Sequence, residues 1–278
     1  MLVFLAVILS LSLVLLVGYI FALAPAKRKH PLTSEIKKYR YAHRGLFSSE
    51  KKVPENSLAA FRAAIEKGYG FELDVHLTAD KKLAVVHDDS LKRTAGADVT
   101  VYTSTYDEIS KYSLEGTDEK VPQLREVLAL NDGRVPMVIE LKVDKGNADA
   151  LVCAVLDELK NYSGLYCIES FYPDALISLR KHAPEIMRGQ LSCDVRREDK
   201  SFSKIKNFVL ENLLTNFLTR PDFIAYAHED RDLYSFSLCK ALYRPTEFYW
   251  TVRDEKTLEI IENMNAGVIF DSFVPNEK

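Results

Sequence analysis

Apolar and polar positions along residues 39–273 alternate as a succession of short strands and amphipathic helices. Strand-like runs fall at Tyr39–His43, Phe71–Val75, Leu83–Val86, Met137–Val143, Tyr166–Phe171, Ile186–Leu191, Phe223–Ala227, Glu247–Val252 and Val268–Phe273. Leu58, Phe61 and Ile65 form the apolar stripe of a first helix, capped by Asn56 or Ser57 and ended by Gly68. Further helices are predicted at Leu124–Leu130, Ala148–Leu159, Asp174–Lys181, Ser203–Leu218, Leu233–Leu242 and Thr257–Met264. The polar, turn-rich stretch from His87 to Pro122, with a short helix at Tyr106–Tyr112, reads as an excursion from this pattern. Strands alternating with helices imply a parallel sheet with helices outside it. The nine runs are one too many for an eight-stranded barrel, and the link from Val75 to Leu83 is too short for a helical crossover. Either these two runs form a hairpin, or one helix is missing from the ring.

The first 25 residues differ from the rest. Leu2–Ala24 is a charge-free apolar run of 23 residues, long enough to span a bilayer core. Ala24-Pro25-Ala26 resembles a small-residue cleavage site. The run is nevertheless longer than the usual apolar region of about 7–15 residues in a signal peptide, and no basic residue precedes it. The expected organisation is a transmembrane anchor over 1–25, a basic juxtamembrane linker over 26–40, and a barrel domain over 41–278. Residues 26–40 hold six Lys/Arg and one acid, leaving 31 basic against 39 acidic residues, net −8, in residues 41–278. Positive charge after the helix and none before it favours a single pass through the cell membrane with the body in the cytoplasm. The same basic cluster suits an anionic leaflet. An acidic body with no basic stripe excludes nucleic acid as its main partner. The four cysteines show no metal-type spacing and read as reduced, buried thiols.

Candidate chemistry collects where strands end. Glu72 and Asp74 are two apart, so they share one face of a strand while Phe71, Leu73 and Val75 take the other. Glu140 and Lys142 repeat that spacing, and His43 and His87 also end strands. Both faces of a barrel strand are buried, and the carboxyl ends of all strands meet on one rim. Three buried, unpaired carboxylates would be costly, so a cation among Glu72, Asp74 and Glu140 is the simplest account. Oxygen ligands suit Mg²⁺ or Ca²⁺ better than zinc. Arg44 and Lys142 provide fixed positive charge for an anionic substrate, and His43 and His87 an acid–base pair. Together these suit phosphate-ester cleavage. Glu55 reads on its own as a carboxylate at the dipole of the first helix, and Trp250 as a core residue.

The motifs His43-Arg44-Gly45, Pro54-Glu55-Asn56-Ser57, Glu72-Leu73-Asp74 and His87-Asp88 with Arg93-Thr94 resemble the glycerophosphodiester phosphodiesterase family in order and spacing. Val121-Pro122-Gln123-Leu124, Glu140-Leu141-Lys142, Ser170-Phe171 and Trp250-Thr251-Val252 extend the resemblance over roughly residues 41–275. It implies a TIM-type (β/α)8 barrel with a small insertion after His87, hydrolysing glycerophosphodiesters to glycerol 3-phosphate and an alcohol. It further implies Glu72, Asp74 and Glu140 as ligands of a divalent metal, His43 and His87 as the acid–base pair, and Arg44 and Lys142 as phosphate contacts. Glu55 would be a further site carboxylate, and Phe171 and Trp250 walls of the glycerol pocket. Ser57 stands where Thr is usual, and residues 191–244 match poorly. The membrane helix raises a second substrate class, a lysophospholipid or other membrane phosphodiester.

Overall fold

The computed structural model describes residues 1–194 and 204–276. Eight strands close a parallel barrel in the order β1 (Arg40–Ala42), β9 (Gly267–Phe270), β8 (Thr246–Val252), β7 (Phe223–Ala227), β6 (Arg188–Ser192), β5 (Tyr166–Ser170), β4 (Met137–Leu141) and β2 (Gly70–Leu77), with β2 returning to β1. The ninth strand, β3 (Leu83–Val85), pairs antiparallel with β2, Val75 opposite Val85 and Leu77 opposite Leu83. The extra run is thus a hairpin grafted onto β2, which the short link between the two runs requires. Helices cross outside the ring: α3 (Leu58–Glu66), α6 (Leu124–Asn131), α7 (Ala148–Leu159), α8 (Pro173–His182) and the helices Tyr234–Tyr243 and Glu255–Asn263. The expected long helix over Ser203–Leu218 is broken: Lys204–Glu211 and Asn216–Thr219 are separate, with Leu213 at φ +56° between them, and Ser203 lies outside the described residues.

The pleat sorts side chains into two layers. Phe71, Leu73, Val75, Met137, Ile139 and Leu141 face the helices and join the main core. Their alternates Val138, Cys167, Phe223 and Phe248, with Tyr41, fill the barrel interior. Gly189 makes room for that filling, since a Cβ there would lie 2.2 Å from the Phe223 ring. The excursion after β3 carries its own small core of Val86, Leu91, Val101, Ile109 and Val121, and returns through the Val85 N–H donating to Pro122 O at 2.8 Å. The helix expected at Tyr106–Tyr112 spans Tyr106–Ile109, held by a capping box of Thr105 and Glu108, and a second short helix forms at Lys92–Ala95. The cysteines are free, and Cys167, Cys193 and Cys239 are buried as expected. Cys153 is not, because it falls on the solvent side of α7, whose buried positions are Ala148, Leu151, Val152, Val155 and Leu159.

The apolar helix α1 (Leu2–Ala22) stands clear of the barrel over most of its length. At 21 residues it is about 31 Å long and apolar enough to cross a membrane, a test that a signal sequence near the N-terminus also passes. Its last turn docks: Tyr243 Oη donates to Ile20 O at 2.6 Å, and Tyr19 and Ser235 share a hydroxyl contact of 2.7 Å. Residues 23–40 continue that docking across the opposite end of the barrel from the strand carboxyl ends. Leu23 and Ile36 are fully buried, Ala26 N–H donates to Pro221 O, and Asn216 and Arg220 donate to Leu23 O and Ala24 O. Burying a large aliphatic side chain contributes about 1.5–3 kcal/mol. A chain starting at Tyr39 is therefore expected to be less stable by roughly 3–6 kcal/mol than one starting at Leu23, counting two such side chains. Urea denaturation of the two truncated chains measures the difference, and equal midpoints would remove this segment from the core.

Candidate active site

The carboxyl-end rim of the barrel gathers the polar strand ends. Glu72, Asp74 and Glu140 point inward and are buried, each offering an oxygen within 4.8 Å of the others. Strand register sets this: Asp74 lies opposite Glu140, and Glu140 opposite Glu169. Burial, then Asp74 and Glu140, pushes Glu72 well above the usual carboxylate range, and burial pushes Glu140 up to about 7. Asp74 is held well below its ordinary value despite burial, by Lys142, His87 and Arg44. Lys142 Nζ stands 3.0 Å from Asp74 Oδ1 and 2.8 Å from Glu140 Oε1, yet both oxygens lack a well-formed hydrogen bond. Three buried carboxylates with oxygens within 4.8 Å of one another, sharing a single lysine, fit a hard divalent cation.

His43 follows a barrel strand, and His87 follows the antiparallel hairpin strand. β1 ends at Ala42, and the His43 N–H donates to Phe270 O at 2.8 Å. Its Nδ1 lies 3.0 Å from Asp271 Oδ2, and Arg253 Nε and Ser272 Oγ donate to the other oxygen of Asp271. His87 Nδ1 lies 2.7 Å from Asp88 Oδ1. Each carboxylate holds the proton on Nδ1 and leaves Nε2 as the unpaired ring nitrogen. Burial lowers the pKa of His43, opposed by Asp271. Burial and then Lys142 lower His87 to about 4. Both rings are thus neutral near pH 7. Behind His87, the buried His76 bridges Asp144 Oδ2 at 2.8 Å and the His87 carbonyl at 3.2 Å.

Arg44 and Gly45 make a tight left-handed turn, at φ +56° and +79°. A Cβ on Gly45 would lie 2.8 Å from Ala60, so only glycine lets the turn pack on α3. The turn aims the Arg44 N–H at Glu72 Oε2, 2.8 Å away, and its guanidinium at Glu55 and Asp74, 2.9 and 3.5 Å away. Glu55 also accepts two bonds from Arg93, whose other donors reach Asp88. Arg44, Glu55, Arg93 and Asp88 thus form one chain of ion pairs, which ends in the hydrogen bond between Asp88 and His87. Burial opposes charge on Glu55, but Arg93 and Arg44 outweigh it and hold its pKa down. Glu55 is therefore tied to the rim as well as to the start of α3.

A cavity of about 130 Å³ opens among these groups, with Phe171 and Trp250 on its wall at a T-shaped ring distance of 5.6 Å. The structure brings all ten sequence-predicted site residues to this rim. It adds Glu169, which lines the cavity with Oε2 unpartnered and is pushed well above its usual pKa by burial and Glu140. It also adds Asn56, which donates to Asp74 Oδ2 at 2.8 Å, and Asp271. Glu169 follows the same inward alternation as Glu140, and Asp271 ends a strand as His43 does, so both were open to the rule that found the others. Asn56 stood in the sequence only as a helix cap and as part of the Pro54-Glu55-Asn56-Ser57 motif, neither of which pointed to Asp74.

Residues 43–273 match the Glycerophosphoryl diester phosphodiesterase family. A glycerophosphodiester phosphodiesterase of Caldanaerobacter subterraneus is 35% identical over 162 residues, covering 54% of this chain and 65% of that protein. One from Bacillus altitudinis is 31% identical over 175 residues, covering 59% and 70%. The chain thus spans about two thirds of the length of these curated relatives. An Oleispira antarctica phosphodiesterase structure superposes with a TM-score of 0.69 at 24% identity, over 86% of this chain and 94% of that one. The Thermotoga maritima glycerophosphodiester phosphodiesterase gives 0.62 at 29%, over 84% and 93%. Fold and family together define a TIM-barrel phosphoric diester hydrolase. The chain belongs to the Glycerophosphoryl diester phosphodiesterase family.

Proton competition gives one expectation for metal binding. Glu72 and Glu140 keep protons to higher pH than ordinary carboxylates, Glu140 to about 7, and a cation must displace them. Affinity for Mg²⁺ or Ca²⁺ is therefore expected to rise from pH 6 to pH 8. Calorimetric titration at the two pH values checks this, and equal affinities would mean the cation does not bind at these carboxylates.

Proposed function

We propose that this protein hydrolyses glycerophosphodiesters to glycerol 3-phosphate and an alcohol. The observation that carries the reading is a buried three-carboxylate cluster flanked by two carboxylate-backed histidines on one barrel rim, in a member of this family. Glu72, Asp74 and Glu140 would hold a Mg²⁺ or Ca²⁺ ion, which when bound neutralises charge on the phosphoryl oxygens. Arg44 and Lys142 place two further cations beside the same point and orient the anionic diester. One histidine, neutral at Nε2, takes the proton of the attacking hydroxyl, from water or from the glycerol of the substrate. The new P–O bond forms as the bond to the leaving alcohol breaks, and the other histidine supplies the proton to the departing oxygen; where the glycerol hydroxyl attacks, the product is a cyclic phosphate, which water then opens by the same two proton transfers in reverse to give glycerol 3-phosphate. The incoming phosphodiester anion raises that ring's proton affinity from its low resting value. Phe171 and Trp250 offer apolar faces to the glycerol carbons.

The body is proposed to lie on the cytoplasmic side of the cell membrane, with residues 1–25 as a single-pass anchor. That anchor favours a second substrate reading, a lysophospholipid. Lysophospholipase D GDPD1 of Rattus norvegicus is 35% identical over 121 residues, 37% of its length. Rates on glycerophosphocholine and lysophosphatidylcholine separate the two. Faster release of choline from glycerophosphocholine supports the leading reading; turnover of lysophosphatidylcholine alone would replace it.

A further inference from the structure

A second cavity, of about 320 Å³, lies where α1 meets the barrel. Lys27, Arg28, Lys29, Lys37 and Arg244 line it, against Asp222 and Glu247. Both carboxylates are already engaged. Asp222 is buried and paired with Arg28 at 3.2 Å and with Arg188, and Glu247 accepts from Tyr249 Oη at 2.5 Å. The side chains of Lys27, Lys29 and Arg244 have no hydrogen bond or ion pair among the described residues. Five cationic side chains thus face two carboxylates, so the pocket holds more positive charge than its own carboxylates neutralise.

The walls are fixed. Ala26 N–H is bonded to Pro221 O, Arg28 to Pro184 O, and Lys37 to Asn265, while Tyr243 lines the pocket and also bonds α1 at Ile20 O. Pro25, at the pocket's edge, is three residues past Ala22, within roughly 10 Å of chain from the end of the apolar helix. A helix that fills the hydrocarbon core would place the pocket at headgroup depth.

We propose that this pocket binds the phosphate of an anionic phospholipid headgroup. The inference rests on reading α1 as a membrane span. Bound lipid would fix the barrel with its base toward the bilayer and its catalytic rim facing away, toward water-soluble substrate.

The test uses the full chain. Flotation with phosphatidylcholine vesicles first reports whether α1 holds a bilayer; failure to float overturns the span and the lipid pocket with it. Native mass spectrometry in neutral detergent then offers equal phosphatidylglycerol and phosphatidylcholine. One retained phosphatidylglycerol is expected. Each nearby cation contributes to anionic lipid binding, so Lys29→Gln and Arg244→Gln should each weaken it about fivefold and the pair about 25-fold. Hydrolysis of glycerophosphocholine should not change in these variants. Equal retention of both lipids in a chain that floats overturns the pocket and leaves the span standing. Retention insensitive to the two substitutions overturns the assignment to this pocket. Release of the lipid by an equal concentration of inorganic phosphate would make free phosphate, not lipid, the ligand.

Discussion

Glu72→Gln and Asp74→Asn are each expected to abolish metal-dependent hydrolysis while leaving the barrel folded. Losing an outer partner of a metal ligand typically costs about 10–100-fold in affinity, and losing a ligand itself should cost more. The two variants should part company in stability. Glu72 is buried beside Asp74 and Glu140 and in the metal-free protein must take up a proton or bear their repulsion, a cost that Gln does not carry, so its thermal midpoint should hold or rise. Asp74 is the carboxylate that Lys142, Arg44 and Asn56 converge on, so Asp74→Asn leaves those donors short of an anion and should lower the midpoint. Calorimetric titration and thermal melts of both variants read these effects. Unchanged Mg²⁺ and Ca²⁺ affinity in both would remove these residues from the ligand set.

His43→Ala and His87→Ala should each lower turnover by about 10²–10⁴-fold, the usual worth of a positioned proton-transfer group, with substrate affinity changed less. The roles differ in one measurable respect. A general acid matters most when the leaving alcohol is poor, so a nitrophenyl phosphodiester should partly rescue the variant lacking the acid and not the one lacking the base. His87 is expected to be the acid. It is the ring tied through Asp88 and Arg93 to the excursion that begins at the rim. Rescue of His43→Ala in place of His87→Ala would reverse the assignment. Near-normal turnover of glycerophosphocholine by either variant would end the two-histidine mechanism.

The barrel was legible because its strands carry two signals at once, an apolar outer face and a polar inward end. Phe71, Leu73 and Val75 against Glu72 and Asp74 announce both the strand and the site. The hairpin was legible only as an alternative, since periodicity places β3 but not its partner, and pairing is set in three dimensions by Val75 and Val85. Partners distant in sequence left no local trace: Asn56 with Asp74, His43 with Asp271, and the ion-pair chain through Glu55 and Arg93. The docking of residues 23–36 was hidden for another reason. A basic, Pro-containing stretch after an apolar helix reads as a tether, and only the surface of the barrel base reveals that Leu23 and Ile36 have somewhere to go.

Cleavage of glycerophosphodiesters at this rim is proposed to need a divalent cation. Release of glycerol 3-phosphate from glycerophosphocholine, followed enzymatically before chelation, after chelation and after return of Mg²⁺ or Ca²⁺, tests it most directly. The expected result is release that stops with chelator and returns with one of the two ions. Release that continues unchanged in chelator, or no release with either ion present, would contradict it.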